Sequence, residues 1–167
     1  MQREIAALFR RLTQGVYVIG VAQGDRRNAF TAAWVTQVSF DPLLIALSIN
    51  PANASYRMLV DTGGFTVNVL EQGRTDLARD FGLRSGREVD KLAGVRWRPA
   101  RSGAPVLTDG VAYLDCRVMA RHRAGDHEIV IAKVEDGALD RPDAVPMLYR
   151  ETGDLDGSEA LYPHRLG

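Results

Sequence analysis

Short apolar runs with the pattern of β-strands dominate the chain. They cover residues 16–23, 29–39, 43–49, 65–70, 95–99, 111–122, 127–137 and 147–150. The run LLIALSI at 43–49 is continuously apolar except for its serine, which predicts a strand buried on both faces. Gly-Asp and Asn within 24–28 favour a hairpin turn between the first two strands.

Helical spacing of apolar residues is confined to a few short segments. Ile5, Leu8, Phe9 and Leu12 predict an amphipathic helix over residues 4–12. Two further helices are predicted: one from an N-cap at Asn53 to about 61, and one over 75–82 that Thr75 caps and Gly82 ends. Strands and helices do not alternate regularly and no internal repeat is visible, so we expect a mainly β fold, a barrel with a few short helices.

The length of 167 residues is that of one domain with a single sizeable core. We place this domain at residues 1–150. The last 17 residues, ETGDLDGSEALYPHRLG, are polar and weakly patterned. We therefore expect residues 151–167 to form a mobile or partner-bound tail.

Charge and cysteine content narrow the class of partner and the compartment. Lys+Arg and Asp+Glu both number 21, so the chain lacks the clustered basic excess of nucleic-acid-binding domains. The N-terminal residues show no signal peptide and the apolar runs are too short to cross a bilayer, so no membrane association is expected. The single cysteine, Cys116, excludes an internal disulfide, and a cytoplasmic location is expected.

Several common sites are absent from the sequence. There is no G-x-G-x-x-G after a strand, no G-x-x-x-x-G-K-[ST] and no H-E-x-x-H, so a nucleotide would not bind by a Rossmann or P-loop mechanism. A metal site would have to combine Cys116, His122 and His127, and His127 lies beyond a turn from the other two; no metal is expected. Cys116 lies in the middle of a strand, where nothing activates a thiol.

Three segments each carry two interpretations. The small residues of FTAAW (30–34) would let a flat ligand lie against the strand, or would permit close packing of a helix. The segment SINPANASY (48–56) offers free N–H groups for a phosphate, or is an ordinary capped helix start. In AGDHEIVIAKV (124–134) the imidazole of His127 either contacts a ligand or faces solvent at a turn.

Read together, these segments resemble the flavin reductase-like family of FMN-binding split barrels. The resemblance runs through LFRRLTQGVYVIG, NAFTAAWVTQVSFDPLLIALSINPANASY and GGFTVNVL. It continues in DKLAGVRW, GAPVLTDGVAYLDCRV, AGDHEIVIAKVEDG and VPMLYR, over about residues 5–150. The variant Ala33-Trp34-Val35 is most similar to the flavin reductase modules appended to diiron flavoproteins. The fold that the resemblance implies is a split β-barrel with Greek-key-like strand order.

The resemblance also implies which residues form the site. Backbone groups of the small-residue strand would contact the isoalloxazine edge, and the segment SINPANASY would take the ribityl chain and phosphate. His127 would be catalytic and lie near the nicotinamide or flavin ring. A phosphate would also need a cation, for which Arg57 and Lys91 are candidates; Lys91 is otherwise a solvated surface charge. The cofactor-binding residues are therefore Thr31, Ala32, Ala33, Trp34, Val35, Ser48, Ile49, Asn50, Asn53, Ser55, Tyr56, Arg57 and Lys91.

The function expected from the resemblance is hydride transfer from NADH or NADPH to FMN, or to FAD. Reduced flavin or electrons would pass to a partner oxygenase, and the protein would be a homodimer. The alternative is an FMN-binding electron-transfer protein without efficient NAD(P)H turnover. A third interpretation is a related split barrel that binds haem or a pyridoxine phosphate.

Overall fold

Nine β-strands, three α-helices and two 3-10 helices form the computed structural model, which describes residues 2–166. The strands are β1 (Tyr17–Gln23), β2 (Arg26–Ala32), β3 (Val35–Ser39), β4 (Leu44–Ile49), β5 (Gly64–Val69), β6 (Trp97–Pro99), β7 (Pro105–Leu107), β8 (Ala112–Ala124) and β9 (His127–Leu139). The α-helices are α1 (Gln2–Phe9), α2 (Tyr56–Thr62) and α3 (Thr75–Leu83), and the 3-10 helices are Tyr149–Thr152 and Ser158–Leu161. No helix within residues 2–166 is long and apolar enough to span a membrane.

Seven strands form one antiparallel sheet in the order β2-β1-β5-β8-β9-β4-β3. The two edge strands, β2 and β3, are consecutive in the chain and only Ala33 and Trp34 separate them. Three Cα–Cα steps reach at most about 11 Å. A flat sheet would hold its edges about 29 Å apart, at roughly 4.8 Å per strand. The sheet is therefore rolled so that its edges meet, which confirms the mainly β split barrel.

The interior of the barrel is the larger of two apolar clusters. Ile19 and Val21 of β1 point into it, together with Phe30, Ile45, Leu47, Ile49, Met58, Leu59, Phe65, Val67, Cys116, Val130 and Ala132. Val18 of β1 points the other way, into an outer cluster beneath α3 with Leu77, Phe81, Leu92 and Met147. Because both faces of β1 are covered, its sequence YVIGVAQ shows no alternation of polarity.

Buried polar groups attach the short β6–β7 ribbon to the outer face of the barrel. The Asn68 amide donates to the Val18 and Pro105 carbonyls at 3.0 and 3.2 Å and accepts from the Leu107 amide at 2.8 Å. Thr66 Oγ1 also donates to the Pro105 carbonyl, at 2.5 Å. Side chains of β5 therefore satisfy backbone groups of β7 that strand pairing would otherwise satisfy.

Three strand predictions need correction. The run 29–39 is not one strand, because the chain leaves one sheet edge at Ala32 and joins the other at Val35. β4 is not buried on both faces: Ile45, Leu47 and Ile49 are buried while the residues between them are partly exposed. Residues 147–150 form only an isolated bridge from Leu148 to Gly15 before a 3-10 helix begins at Tyr149.

Helix boundaries and the tail also differ from the predictions. The N-cap of α2 is Ser55 rather than Asn53, whose Oδ1 accepts the Ser55 amide at 2.9 Å in a turn before the helix. The N-cap of α3 is Arg74, and the helix runs through Gly82 to Leu83. The expectation that residues 151–167 are mobile is wrong for residues 154–162, which contact the N-terminal residues through bonds such as Arg10–Asp154 and Gln2–Tyr162. That the segment binds a partner stays a prediction.

A substitution at Gly20 tests how closely β7 packs on the barrel. A Cβ at this position would lie 2.5 Å from both the Pro105 carbonyl oxygen and Thr66 Oγ1. We expect Gly20→Ala to lower the free energy of unfolding by about 1–3 kcal/mol, since backbone must shift to admit the methyl group. Gly94→Ala is the control because its Cβ would meet nothing within 4 Å. Equal urea midpoints for the two variants would contradict this packing.

Candidate functional site

The main pocket has a volume of about 250 Å³ and lies where the rolled sheet meets itself. The ends of β2 and β4, the start of β9, α3 and the C-terminal residues all reach it. Predicted site residues that line it are Thr31, Ala32, Ala33, Trp34, Ser48, Ile49, Asn50, Asn53 and His127. The fold thus brings together residues up to 96 positions apart in the chain from the three segments that the sequence singled out.

The small residues at the end of β2 pack against a helix and also line the pocket. Thr31 is in contact with α3: its Oγ1 donates to the Ala78 carbonyl at 2.8 Å, and a Cβ on Gly82 would lie 3.4 Å from the Thr31 Cβ. Thr31 also lines the pocket, together with Ala32 and Ala33. Small side chains therefore let the helix approach at Thr31 and leave open space at the next two positions.

Two rings stand together at one side of the pocket. The centroids of Trp34 and His127 are 4.9 Å apart and their planes are tilted by 50°. His127 Nδ1 hydrogen-bonds to Asp126 Oδ1 at 2.9 Å, and this bond lowers the pKa of the Asp126 carboxyl. The carboxylate can only accept, so Nδ1 carries the hydrogen and Nε2 is left for a ligand or solvent.

Exposed apolar side chains surround the mouth of this pocket. Trp34, Leu83 and Leu161 all line it, and they are 45%, 51% and 85% exposed. Large apolar groups gathered in one concave place are typical of a ligand site. The pocket is suited to a flat, largely apolar ligand that would cover them.

A second groove of about 230 Å³ adjoins the first and carries positive charge. Thr31 and Asn53 line both cavities, and the second is also lined by Arg84, Arg87 and Lys91. Lys91 is 8% exposed rather than a solvated surface charge, and its Nζ donates to the Phe81 carbonyl at 3.1 Å. Burial, with the nearby charge of Arg84, lowers the pKa of Lys91 to about 8. The groove can hold an anionic group next to the apolar pocket.

Other predicted site residues lie outside both cavities. Ser55 is fully buried and its Oγ accepts from the Asn28 amide at 2.9 Å, so it holds the loop before α2 against β2. Tyr56 donates through its hydroxyl to Glu128 at 3.0 Å. Arg57 is exposed on α2, and Val35 packs against the barrel core.

The thiol and the imidazoles do not form a second reactive centre. Burial, with the charges of Asp115 and Glu135, raises the pKa of Cys116 to about 12, so the thiol is neutral at physiological pH. Within residues 2–166, no three or more His, Cys, Asp or Glu side chains are grouped so that they could hold a metal ion.

Sequence reasoning missed two walls of the pocket. One is α3, through Ala78, Gly82 and Leu83; the small residues at 78 and 82, four apart on one helix face, were the available signal. The other is the C-terminal segment, whose lining residues are Tyr149, Thr152, Leu155, Asp156, Ser158 and Leu161. No local pattern in that polar segment indicates a long-range contact.

Comparison with known proteins identifies the class. The family model described as flavin reductase like domain matches residues 9–156. An NADH:FAD oxidoreductase of Streptomyces globisporus has a similar structure, with a TM-score of 0.81 at 30% identity over 88% of this chain and 87% of its own. An FMN-binding protein of Thermus thermophilus has a TM-score of 0.75 at 30% identity, covering 82% of this chain and 81% of that one.

The chain belongs to the flavin reductase-like domain family. It is also similar to diflavin flavoprotein A 1 of Synechocystis sp., with 32% identity over 146 residues, which is 86% of this chain but 26% of that protein. The chain thus spans about a quarter of the length of the diflavin flavoproteins that it matches. The resemblance stated from sequence is confirmed, including its similarity to flavin reductase modules of larger flavoproteins.

Proposed function

We propose that this protein is an NAD(P)H:flavin oxidoreductase that uses FMN. The observation that carries the proposal is the joined pair of cavities: an apolar pocket beside Trp34 and His127, and a cationic groove beside Lys91, with Thr31 between them. A flavin nucleotide has the same division into a flat ring system and an anionic phosphate. FAD is the other candidate, since one similar structure is an NADH:FAD oxidoreductase.

The residues present fit that cofactor. Ala32 and Ala33 leave room for a ring system at the end of β2, and exposed Leu83 and Leu161 would be covered by it. Arg84, Arg87 and Lys91 would hold the phosphate. When bound, the flavin supplies the hydride-accepting chemistry, and the protein supplies position and electrostatics.

The chain contributes orientation of the nicotinamide rather than an acid–base group. We assign this role to His127, whose ring is fixed by Asp126 on one side and by Trp34 on the other. A fixed donor or acceptor at Nε2 can orient a carboxamide, and correct orientation is a large part of the rate of such transfers. The pocket is open at its mouth, which leaves room for NADH or NADPH to reach the ring. Reduced flavin or electrons would then pass to a partner oxygenase, in a cytoplasmic setting in keeping with the free thiol of Cys116.

A second candidate is an FMN-binding electron carrier without efficient NAD(P)H turnover. The centroid of the Trp34 ring lies 4.9 Å from that of His127, which would narrow the space for a nicotinamide beside this histidine. The similarity to a module that makes up 26% of a diflavin flavoprotein also favours electron transfer between domains.

Steady-state turnover separates the two candidates. With excess free FMN, we expect purified protein to consume NADH or NADPH continuously through many turnovers. His127→Ala should lower kcat about tenfold to a hundredfold while the Kd for FMN changes little, because the ring orients the nicotinamide and not the flavin. Bound flavin that NAD(P)H does not reduce would favour the carrier. A collapse of FMN affinity with unchanged kcat at saturating FMN would refute the role of His127.

The charge of Lys91 predicts a pH dependence of FMN binding. Lys91 is protonated below about pH 8 and attracts the phosphate, and above that pH the unliganded protein has lost the charge. FMN affinity should therefore be highest near pH 7, where the phosphate is close to a dianion and Lys91 is charged, and should fall about tenfold by pH 9.5. Riboflavin lacks the phosphate and should show no such loss, and Lys91→Met should remove the loss for FMN. The same fall for riboflavin, or its persistence in Lys91→Met, would assign it to another group.

A homodimer formed through the β3–β4 hairpin is part of the proposal. The large apolar side chains of Val38, Phe40 and Leu43 are exposed there, with Phe40 at 90%. Exposed apolar side chains gathered at one hairpin are suited to contact with a second copy. We expect the dimer mass in sedimentation velocity and the monomer mass for Phe40→Ser, with Leu166→Ser as an exposed apolar control near the C-terminus. A monomeric wild-type protein would contradict the proposal.

A further inference from the structure

The C-terminal segment, residues 149–162, forms one wall of the main pocket although the sequence pattern predicts no strand or helix beyond residue 150. Its six lining residues begin at Tyr149 and end at Leu161. They include the apolar side chains of Leu155 and Leu161 and face the same cavity as Thr31–Trp34 and His127. A ring system in this pocket would therefore lie between the barrel and the C-terminal segment.

An internal bond network gives the segment a defined shape. The Tyr149 hydroxyl lies 2.9 Å from both Asp156 Oδ2 and Ser158 Oγ, so it donates to the carboxylate and can accept from the serine. Burial raises the pKa of Tyr149 to about 12, which keeps the donor protonated. The Tyr149 amide donates to the Gln14 carbonyl at 2.8 Å and fixes the start of the segment.

The far end of the segment is held by helix α1. Arg10 extends two donors, Nη2 to Asp154 at 3.2 Å and Nη1 to Glu159 at 3.3 Å. Arg3 also reaches Glu159, at 3.0 Å, and the Phe9 and Tyr162 rings are 5.5 Å apart. Arg10 directly follows α1, and among the described residues it is the only one of these whose ion pairs reach both the turn at Asp154 and the second 3-10 helix at Glu159.

We propose that Arg10 is a positioning residue that holds the C-terminal segment against the pocket and thereby slows the escape of bound flavin. The inference rests on the proposed function, since it concerns the same pocket. Arg10 does not line the cavity and acts only through Asp154 and Glu159. A ligand leaving the pocket would pass Leu155 and Leu161, so loosening the segment opens the exit without altering the barrel wall.

The ion pairs are partly exposed, which gives the inference a distinctive signature. The Arg10 and Asp154 side chains are 25% and 40% exposed, and such pairs are screened by salt. Flavin retention through Arg10 should therefore weaken as ionic strength rises, whereas a contact of apolar surfaces would not.

The test is the dissociation rate of FMN from the whole protein, measured by stopped flow at low and high NaCl. We expect Arg10→Ala to release FMN about fivefold faster than the wild type at low salt, and the difference to shrink at high salt. Arg11→Ala removes the same charge one residue away, from a side chain that makes no ion pair among residues 2–166, and should behave as the wild type. Asp154→Asn combined with Glu159→Gln breaks the same pairs from the other side and should match Arg10→Ala.

The outcomes distinguish a failure of the proposed function from a failure of the role proposed for Arg10. Failure of the wild type to bind FMN at all would overturn the proposed function and this inference with it. Normal FMN binding with equal dissociation rates in the wild type and Arg10→Ala would overturn this inference alone. Faster release that is independent of salt, or that also appears in Arg11→Ala, would likewise overturn it. A melting curve for each variant identifies any general loss of stability. If Arg10→Ala is destabilised, the FMN dissociation rate of the double variant Asp154→Asn with Glu159→Gln decides whether the ion pairs retain the flavin.

Discussion

The two-residue link between β2 and β3 determines the rest of the molecule. Because Ala33 and Trp34 must join the two edges of a seven-stranded sheet, the sheet can only roll up. The seam that results is also the floor of the main pocket, since both linking residues line it. The closure of the fold and the position of the main pocket thus follow from one constraint, and the small side chain at Ala33 is compatible with both.

Local pattern was sufficient for most of the barrel but not for its outer layer. Strands β4 and β9 are recognisable because each contains its own run of apolar residues, LIAL in β4 and IVIA in β9. β7 was missed because three residues carry no period, and its attachment through Asn68 depends on a polar group that pattern reasoning assigns to solvent. The break at Ala33–Trp34 was missed because it arises from pairing across the whole sheet.

The same distinction applies to the residues of the candidate site: some could be predicted from the sequence, and others depend on tertiary contacts. Thr31–Trp34 and His127 could be named in advance because a resemblance in segment order placed them, whereas periodicity alone left each with two interpretations. Lys91 could be named as a candidate, but its burial against the Phe81 carbonyl depends on how α3 packs. Leu155 and Leu161 reach the pocket because the C-terminal segment contacts residues near the N-terminus. In one such contact Arg10 pairs with Asp154, more than 140 positions away in the chain. No local sequence pattern predicts a contact of this kind.

The contact between Gln2 and Tyr162 brings the beginning and the end of the described chain to one place, with the amide of Gln2 2.8 Å from the Tyr162 carbonyl oxygen. A domain with adjacent ends can be joined to a neighbour at a single point and tolerates circular permutation. A neighbouring domain joined at either end of the described chain would therefore attach on the same side of the barrel.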